Sequence, residues 1–170
     1  MEGLPQEAVE AQQAARSNQF LTEIRVFGQK IVDKLKPISP ETLQLEGKII
    51  FCSSLDDSIL ENIASPFVAL LPAYDGNERT KVKSLVPLLL KRKCEQLCCV
   101  GLESEVLHDE IDDMLEELGM TDVVTTHHLD VTDACDYFIF AAGAFSTSLM
   151  AMVADHLDVV SALKIAIADE

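Results

Sequence analysis

Short apolar runs alternate with helical patterns along most of this chain, and this alternation constrains the fold more than any other feature. Four such runs are predicted as strands: Lys48–Cys52, Phe67–Leu71, Leu97–Val100 and Val123–Thr126. Amphipathic helix patterns separate them, and the clearest one covers Ser104–Leu118. Strands that are apolar along their whole length are typical of a parallel sheet covered on both faces. We therefore predict a three-layer α/β sandwich with a mostly parallel sheet of about five strands.

The N-terminal region has a different pattern, which divides the chain. Five large apolar residues recur at steps of three or four: Phe20, Ile24, Phe27, Ile31 and Leu35. This stripe predicts an amphipathic helix that either packs on the rest of the chain or pairs with a second copy. Because Pro37 and Pro40 end the helical pattern, we predict a helical extension over residues 1–36, a linker over 37–46 and an α/β domain over 47–170.

The C-terminal part of the sequence is the most apolar. A helix is predicted from about Thr132 to His156, and the last apolar run, Ala162–Ala168, fits either a closing strand or a final helical turn. The segment Tyr137–Ala154 carries no charge, and its length of 18 residues is the lower limit for a membrane span. Polar residues within this segment and acidic residues on both sides argue against insertion, so no membrane association is predicted.

The net charge is confined to the second half of the chain. Residues 1–93 contain twelve acidic and twelve basic side chains, whereas residues 94–170 contain seventeen acidic side chains and a single base, Lys164. The second half therefore carries the whole formal charge of −16. Because such a surface repels nucleic acid and anionic membranes, we predict neither as a partner; a basic partner or a cation is compatible with it.

The cysteines indicate a reducing compartment. There are five, and no two of them form a CxxC pair: Cys52, Cys94, Cys98, Cys99 and Cys135. We predict that they are small buried hydrophobic residues, and the start of the chain lacks the basic and apolar regions of a signal peptide. The predicted location is therefore cytoplasmic. Since the sequence has neither zinc-type His and Cys spacing nor a glycine-rich phosphate loop, we predict no metal site and no cofactor.

Several short motifs follow one another along the chain: PFVALL from Pro66, the run from Cys94 to Gly101, LHDEIDD from Leu107, VVTTHH from Val123, and Asp158-Val159 before an apolar end. Together, over about Pro66 to Ile167, they resemble an uncharacterised family of small bacterial α/β domains of unknown function. The resemblance implies an α/β sandwich that ends in a strand. It implies no activity.

Polar residues follow each predicted strand and form one candidate site. In a parallel sheet the loops at the carboxyl ends of the strands meet at one edge, where ligands bind. His127 and His128 follow the last of these strands, and either could act as a general base with Asp130 or with Asp75 from another loop. Adjacent residues of a strand point to opposite faces, so at most one of the two histidines would serve unless the chain turns there. A small metal- or acid/base-dependent hydrolase that uses these residues is therefore the alternative function.

The acidic helix Ser104–Leu118 is the stronger functional hint. Carboxylates repeat along it at helical spacing, and five of them are the candidate partner-binding residues: Glu105, Asp109, Asp112, Asp113 and Glu116. Each like-charge pair four residues apart costs roughly 0.2–0.5 kcal/mol in an isolated helix. The segment suits a solvated surface, a cation site or a docking surface for a basic protein. The favoured interpretation is a non-enzymatic interaction or regulatory protein that docks a basic partner through Glu103–Asp122. We expect a homodimer, formed through the N-terminal stripe or through Ala141–Ser148.

Overall fold

The structure is a computed structural model, and it describes residues 41–55, 63–146 and 148–169. Six strands form one sheet within these residues: β1 (Glu41–Leu45), β2 (Lys48–Cys52), β3 (Phe67–Pro72), β4 (Cys94–Val100), β5 (Val124–His128) and β6 (Ser148–Ala151). Their order across the sheet is β1-β2-β6-β3-β4-β5. Only β1 is antiparallel to its neighbour; every other pair is parallel. The predicted, mostly parallel sheet is confirmed.

Helices connect the strands, and clear local signals mark the start of one helix and the end of another. They are α1 (Gly76–Lys91), α2 (Ser104–Leu118), the short α3 (Val131–Asp136), which continues as a π-helical turn over Tyr137–Ala142, and α4 (Leu157–Ala168). The Asp75 carboxylate caps α1 by accepting hydrogen bonds from the backbone N–H groups of Asn77 and Glu78. Gly119 ends α2 in the left-handed conformation, with a φ of 67°. The bounds of α2 are those predicted.

Two apolar cores lie on opposite faces of the sheet. Residues of α1 and α2 pack on one face, where Leu71 and Cys99 belong to the core. Residues of α3, the π-helical turn and α4 pack on the other face, around Leu70 and Cys98. Successive strand residues thus enter different cores, as the period of two requires. The three-layer α/β sandwich is confirmed, and all five cysteines are free and buried.

Part of the prediction for the C-terminal segment is wrong. The helix expected over Thr132–His156 is interrupted, because β6 occupies Ser148–Ala151 and pairs with both β2 and β3. When a short apolar run is buried on both sides, its periodicity does not show whether it is a central strand or part of a buried helix. The described part of the chain also ends in α4 rather than in a strand. No helix among the described residues is long and apolar enough to cross a membrane.

The N-terminal boundary of the sheet also differs from the expectation. Glu41–Leu45, predicted as part of a linker, forms β1 and pairs with β2 across a tight turn at Glu46 and Gly47. Gly47 adopts a φ of 85°, a conformation that suits glycine in such a turn. The extension predicted over residues 1–36, with its apolar stripe, lies outside the described residues.

Successive connections of the chain cover first one face of the sheet and then the other. From β3 it proceeds through α1, β4 and α2 to β5, and both helices cover the same face of the sheet. It then returns over the opposite face through α3 to β6, which lies beside β3. The helices that follow these two neighbouring strands, α1 and α4, therefore diverge to opposite faces. Such a point leaves a crevice at the carboxyl ends of the strands, where ligands of open α/β sheets bind.

Candidate functional site

Three side chains from three different segments meet at this crevice. Tyr74 follows β3, Glu78 lies in the first turn of α1, and His156 follows β6. The His156 Nε2 is 2.6 Å from the Glu78 Oε1, and the Tyr74 and His156 rings stack with centroids 4.3 Å apart and 17° between their planes. The second Glu78 oxygen, Oε2, accepts a hydrogen bond of 2.8 Å from the Tyr74 backbone N–H. Glu78 therefore holds both the β3 loop and the His156 ring.

Local sequence explains why Glu78 occupies this position. The Asp75 Oδ1 accepts the Glu78 backbone N–H at 2.8 Å, so Asp75 caps the helix and Glu78 is the third residue of α1. The Glu78 side chain then folds back over the helix N-terminus to reach Tyr74. This reciprocal arrangement is close to a capping box, in which the residue at the third helical position bonds back to the chain before the helix.

The Tyr74 ring is confined between His156 and the β4 loop. Gly101, at the end of β4, has a φ of 120°, and a Cβ there would lie 2.7 Å from the Ala73 carbonyl oxygen and 3.0 Å from the Tyr74 ring. Only glycine permits this approach. Burial, with the nearby carboxylates of Asp158 and Glu78, raises the pKa of Tyr74 to about 12. The hydroxyl therefore stays protonated at neutral pH.

The structure does not bring the four predicted catalytic residues together in one contact. The carboxylates of Asp75 and Asp130 cap α1 and α3, the latter by accepting the Asp133 backbone N–H at 3.0 Å. His127 contacts His108 of α2 edge-on, with ring centroids 5.1 Å apart, whereas His128 contacts Tyr137 on the other face, at 4.9 Å. The expectation that the two histidines point to opposite faces is confirmed.

His128 is tied to the interior more closely than His127. Its carbonyl oxygen accepts hydrogen bonds from the Gly101 backbone N–H and the Ser104 hydroxyl, both at 3.1 Å. Burial lowers the pKa of the His128 imidazole, the neighbouring His127 lowers it further, and Asp133 opposes the change. Among the described residues, no group of three or more His, Cys, Asp and Glu side chains is arranged to hold a metal ion.

The cysteines are not activated for nucleophilic chemistry. Burial raises the pKa of Cys52 to about 11 and that of Cys94, Cys98 and Cys135 to about 12. The pKa of Cys99 is raised as well, again chiefly by burial. A thiol in such surroundings remains protonated and inert, so the cysteines serve as core residues.

The five candidate partner-binding carboxylates all lie at the surface of α2. We call them the acidic face: Glu105, Asp109, Asp112, Asp113 and Glu116. Every one of them is exposed, while Leu107, Ile111 and Leu115 of the same helix are buried in the core. The helical period places most of them on the flank that overhangs β5. Asp112 contacts that strand directly, because its Oδ1 accepts a hydrogen bond from the Thr125 hydroxyl.

Basic residues of α1 neutralise a different flank of α2. Arg79 lies 3.3 Å from a Glu103 oxygen and 3.6 Å from a Glu110 oxygen, and Lys83 lies 3.4 Å from Glu110. The acidic face receives no such neutralisation within the described chain. Its contacts with a titratable base are those of His108, 3.2 Å from Asp109 and 3.5 Å from Asp112.

Sequence reasoning missed Glu78 and His156. Glu78 was one of many acidic residues on a helix, and its spacing of three from the capping Asp75 was the available signal. His156 was hidden because the segment before it was predicted as helix rather than as β6. With β6 recognised, His156 would have been placed in the loop that follows this strand.

The architecture and the polar side chains define the class of this protein: a three-layer α/β domain with a mostly parallel sheet and a cluster of Tyr74, Glu78 and His156 at the carboxyl ends of β3 and β6. A family described as "Domain of unknown function (DUF7684)" matches residues 50–167. The match spans more than half of the chain, and the chain belongs to this family. Comparison with curated proteins and with solved structures gave no match.

Proposed function

We propose that this protein is a non-enzymatic interaction or regulatory protein that docks a basic partner through the Glu103–Asp122 segment. One observation carries the proposal: the acidic face is exposed and unneutralised, while the bases of α1 pair with Glu103 and Glu110 on the other flank. Complementary charge speeds the encounter with a basic partner and excludes acidic ones.

The position of the acidic face supports docking over mere solubility. The face borders β5, which lies at an edge of the sheet and pairs only with β4 among the described strands. An edge strand presents backbone N–H and C=O groups that another chain can bind. Val124 of this strand has 51% of its surface exposed, so an apolar contact lies beside the charges. A basic segment could thus combine ionic contacts with α2 and backbone contacts with β5.

We also propose that the protein works in the cytoplasm as a homodimer. Free, buried thiols among the described residues suit a reducing compartment. The segment Ala141–Ser148 is one candidate interface, and the full exposure of the Phe145 side chain there supports it. The other candidate, the N-terminal stripe, lies outside the described residues.

A hydrolase built on His127 or His128 with Asp75 and Asp130 has less support. In both aspartates a carboxylate oxygen accepts a hydrogen bond from a helix N-terminus. Among the described residues, no hydrogen bond or ion pair joins either aspartate to His127 or His128. A carboxylate can orient a histidine as general base only when it lies within hydrogen-bond distance of the imidazole ring. We therefore rank this function second.

Affinity capture from cell extract tests the proposal. The bait is the full chain with three carboxylates of the acidic face neutralised, Asp109→Asn, Asp113→Asn and Glu116→Gln, beside the wild type. Asp112 is kept because it bonds Thr125. A matched bait neutralises three exposed carboxylates elsewhere: Glu95→Gln, Asp136→Asn and Asp169→Asn. Both variants have the same net charge.

The proposal expects a basic protein that the wild type and the matched bait capture at low salt and that the acidic-face variant loses. Capture should also fall at about 500 mM salt, where the screening length is only a few ångströms. Equal capture by all three baits, or no basic protein with any of them, would return the acidic face to a solubilising role.

A further inference from the structure

The crevice between β3 and β6 contains an ordered polar constellation that the proposed function does not use. The Glu78 carboxylate is bonded through both oxygens, to the Tyr74 backbone N–H and to the His156 ring. Both side chains remain partly accessible, with 18% of Glu78 and 20% of His156 exposed. The constellation therefore lies at the surface of the crevice rather than inside the core.

Glu78 fixes the chemical form of His156. A carboxylate only accepts hydrogen bonds, so the neutral imidazole must carry its proton on Nε2, the nitrogen 2.6 Å from Glu78. The other nitrogen, Nδ1, is then a lone-pair acceptor. Within the described residues, no protein group donates a hydrogen bond to it. Stacking on Tyr74 keeps the ring from rotating away.

The charges around the crevice select the kind of ligand. Asp155 precedes His156 and accepts a hydrogen bond of 3.0 Å from the Ser54 hydroxyl, and Asp158 lies near Tyr74. The closest base in the sequence, Arg79, is engaged by Glu103 and Glu110. The α1 N-terminus, which would otherwise attract an anion, is capped by the Asp75 carboxylate. Anions are therefore repelled, and hydrogen-bond donors with positive charge are favoured.

We propose that this crevice is a binding site for a small organic cation, a primary ammonium or guanidinium compound, whose N–H donates to the His156 Nδ1. Asp155 and Asp158 supply the compensating negative charge. Glu78 acts as a positioning residue, because it orients the His156 ring without contacting the ligand.

Nuclear magnetic resonance of the full chain tests the site directly. The chain has four histidines, and the His156 signals are identified by their absence from a His156→Gln variant. The probe is n-butylammonium chloride at about pH 8, above the ordinary histidine pKa, with sodium chloride at equal ionic strength as the reference. We expect saturable shifts of the His156 ring signals, a resting Nε2–H tautomer, and no shift with inorganic phosphate.

Two comparisons distinguish binding in the crevice from a general attraction of cations to the acidic surface. His108 reports on general accumulation of cations at the acidic face, since it contacts Asp109 and Asp112. Glu78→Gln should raise the dissociation constant for n-butylammonium about tenfold, because the His156 ring loses the carboxylate that holds its Nδ1 as the acceptor. Glu117→Gln, which removes the same charge from an exposed position of α2, should leave it within about twofold.

Three results would overturn the proposal: a His156 ring protonated on Nδ1 in the resting protein, His156 signals that do not move with the probe, or shifts at His108 as large as those at His156. A purely structural tie between the β3 loop and α4 would give the second result. The titration itself uses the wild type, and the variant His156→Gln serves only to assign the His156 signals.

Discussion

Glu78 and Asp109 carry the same chemical group in opposite surroundings. Both oxygens of Glu78 are held, and its side chain is 18% exposed; the Asp109 side chain is 75% exposed and lies 3.2 Å from the His108 ring. A carboxylate that is held on both oxygens acts on its neighbours through short, directed hydrogen bonds. An exposed carboxylate acts through the summed field of its neighbours, which salt screens over about 10 Å at 0.1 M. The two regions should therefore respond differently to substitution and to salt.

The largest effect on stability is expected at Gly101, the glycine that lies against the Tyr74 ring. Gly101→Ala places a Cβ 2.7 Å from the Ala73 carbonyl oxygen at a φ of 120°, so the β3 and β4 loops must separate. We expect a loss of about 3 kcal/mol in the free energy of unfolding, measured by urea denaturation. Gly119→Ala is the matched control: its φ is 67°, but no atom lies within 4 Å, and about 1 kcal/mol is expected. Equal losses would show that the loop contact is not tight.

Loss of the Glu78 carboxylate should follow in size. Glu78→Gln replaces charge-assisted hydrogen bonds to Tyr74 and His156 with weaker ones, and we expect a loss of about 2 kcal/mol. The loss should be nearly the same at low and high salt, since the contacts are short and half-buried. Glu117→Gln should change stability by only a few tenths of a kcal/mol. A salt-dependent loss at Glu78 would remove the distinction between the two regions.

Neutralising the acidic face should raise the stability of the protein rather than lower it. The variant Asp109→Asn, Asp113→Asn, Glu116→Gln removes like-charge neighbours four residues apart, so we expect stability to rise by about 1 kcal/mol at low salt. The gain should disappear at about 500 mM salt. A thermal melt at both salt concentrations measures it. A variant that is less stable than the wild type would mean that these carboxylates make contacts that stabilise α2.

The smallest effect concerns His128 and pH. Because burial holds the pKa of the His128 imidazole below its ordinary 6.5, the unfolded chain takes up the proton more readily than the folded one. This contribution to stability is therefore complete above pH 6.5 and declines as the pH falls below it. Urea titrations between about pH 5 and pH 8 should show a shallower decline for His128→Gln than for the wild type. Identical slopes would place His128 in contact with water.

Four strands of the sheet and the helix α2 were predictable because their patterns are local. The stripe of α2 and the stop at Gly119 fixed that helix to the residue, and the apolar runs of β2, β3 and β4 could be recognised one at a time. The insertion of β6 between β2 and β3 was not predictable, because it depends on pairing over about a hundred residues of chain. The same insertion places His156 beside Glu78. The crevice therefore became visible only in three dimensions, whereas the exposure of the acidic face followed from the helix pattern.

Docking on α2 is tested most sharply by the dissociation constant of the captured basic partner, measured with purified components between about 50 and 500 mM salt. We predict that the wild type and the matched variant Glu95→Gln, Asp136→Asn, Asp169→Asn weaken by at least about tenfold over this range. The acidic-face variant should bind weakly at low salt already and change little with salt. If the acidic-face variant binds with the affinity and salt dependence of the wild type, the partner does not dock on α2, and the proposed function is wrong.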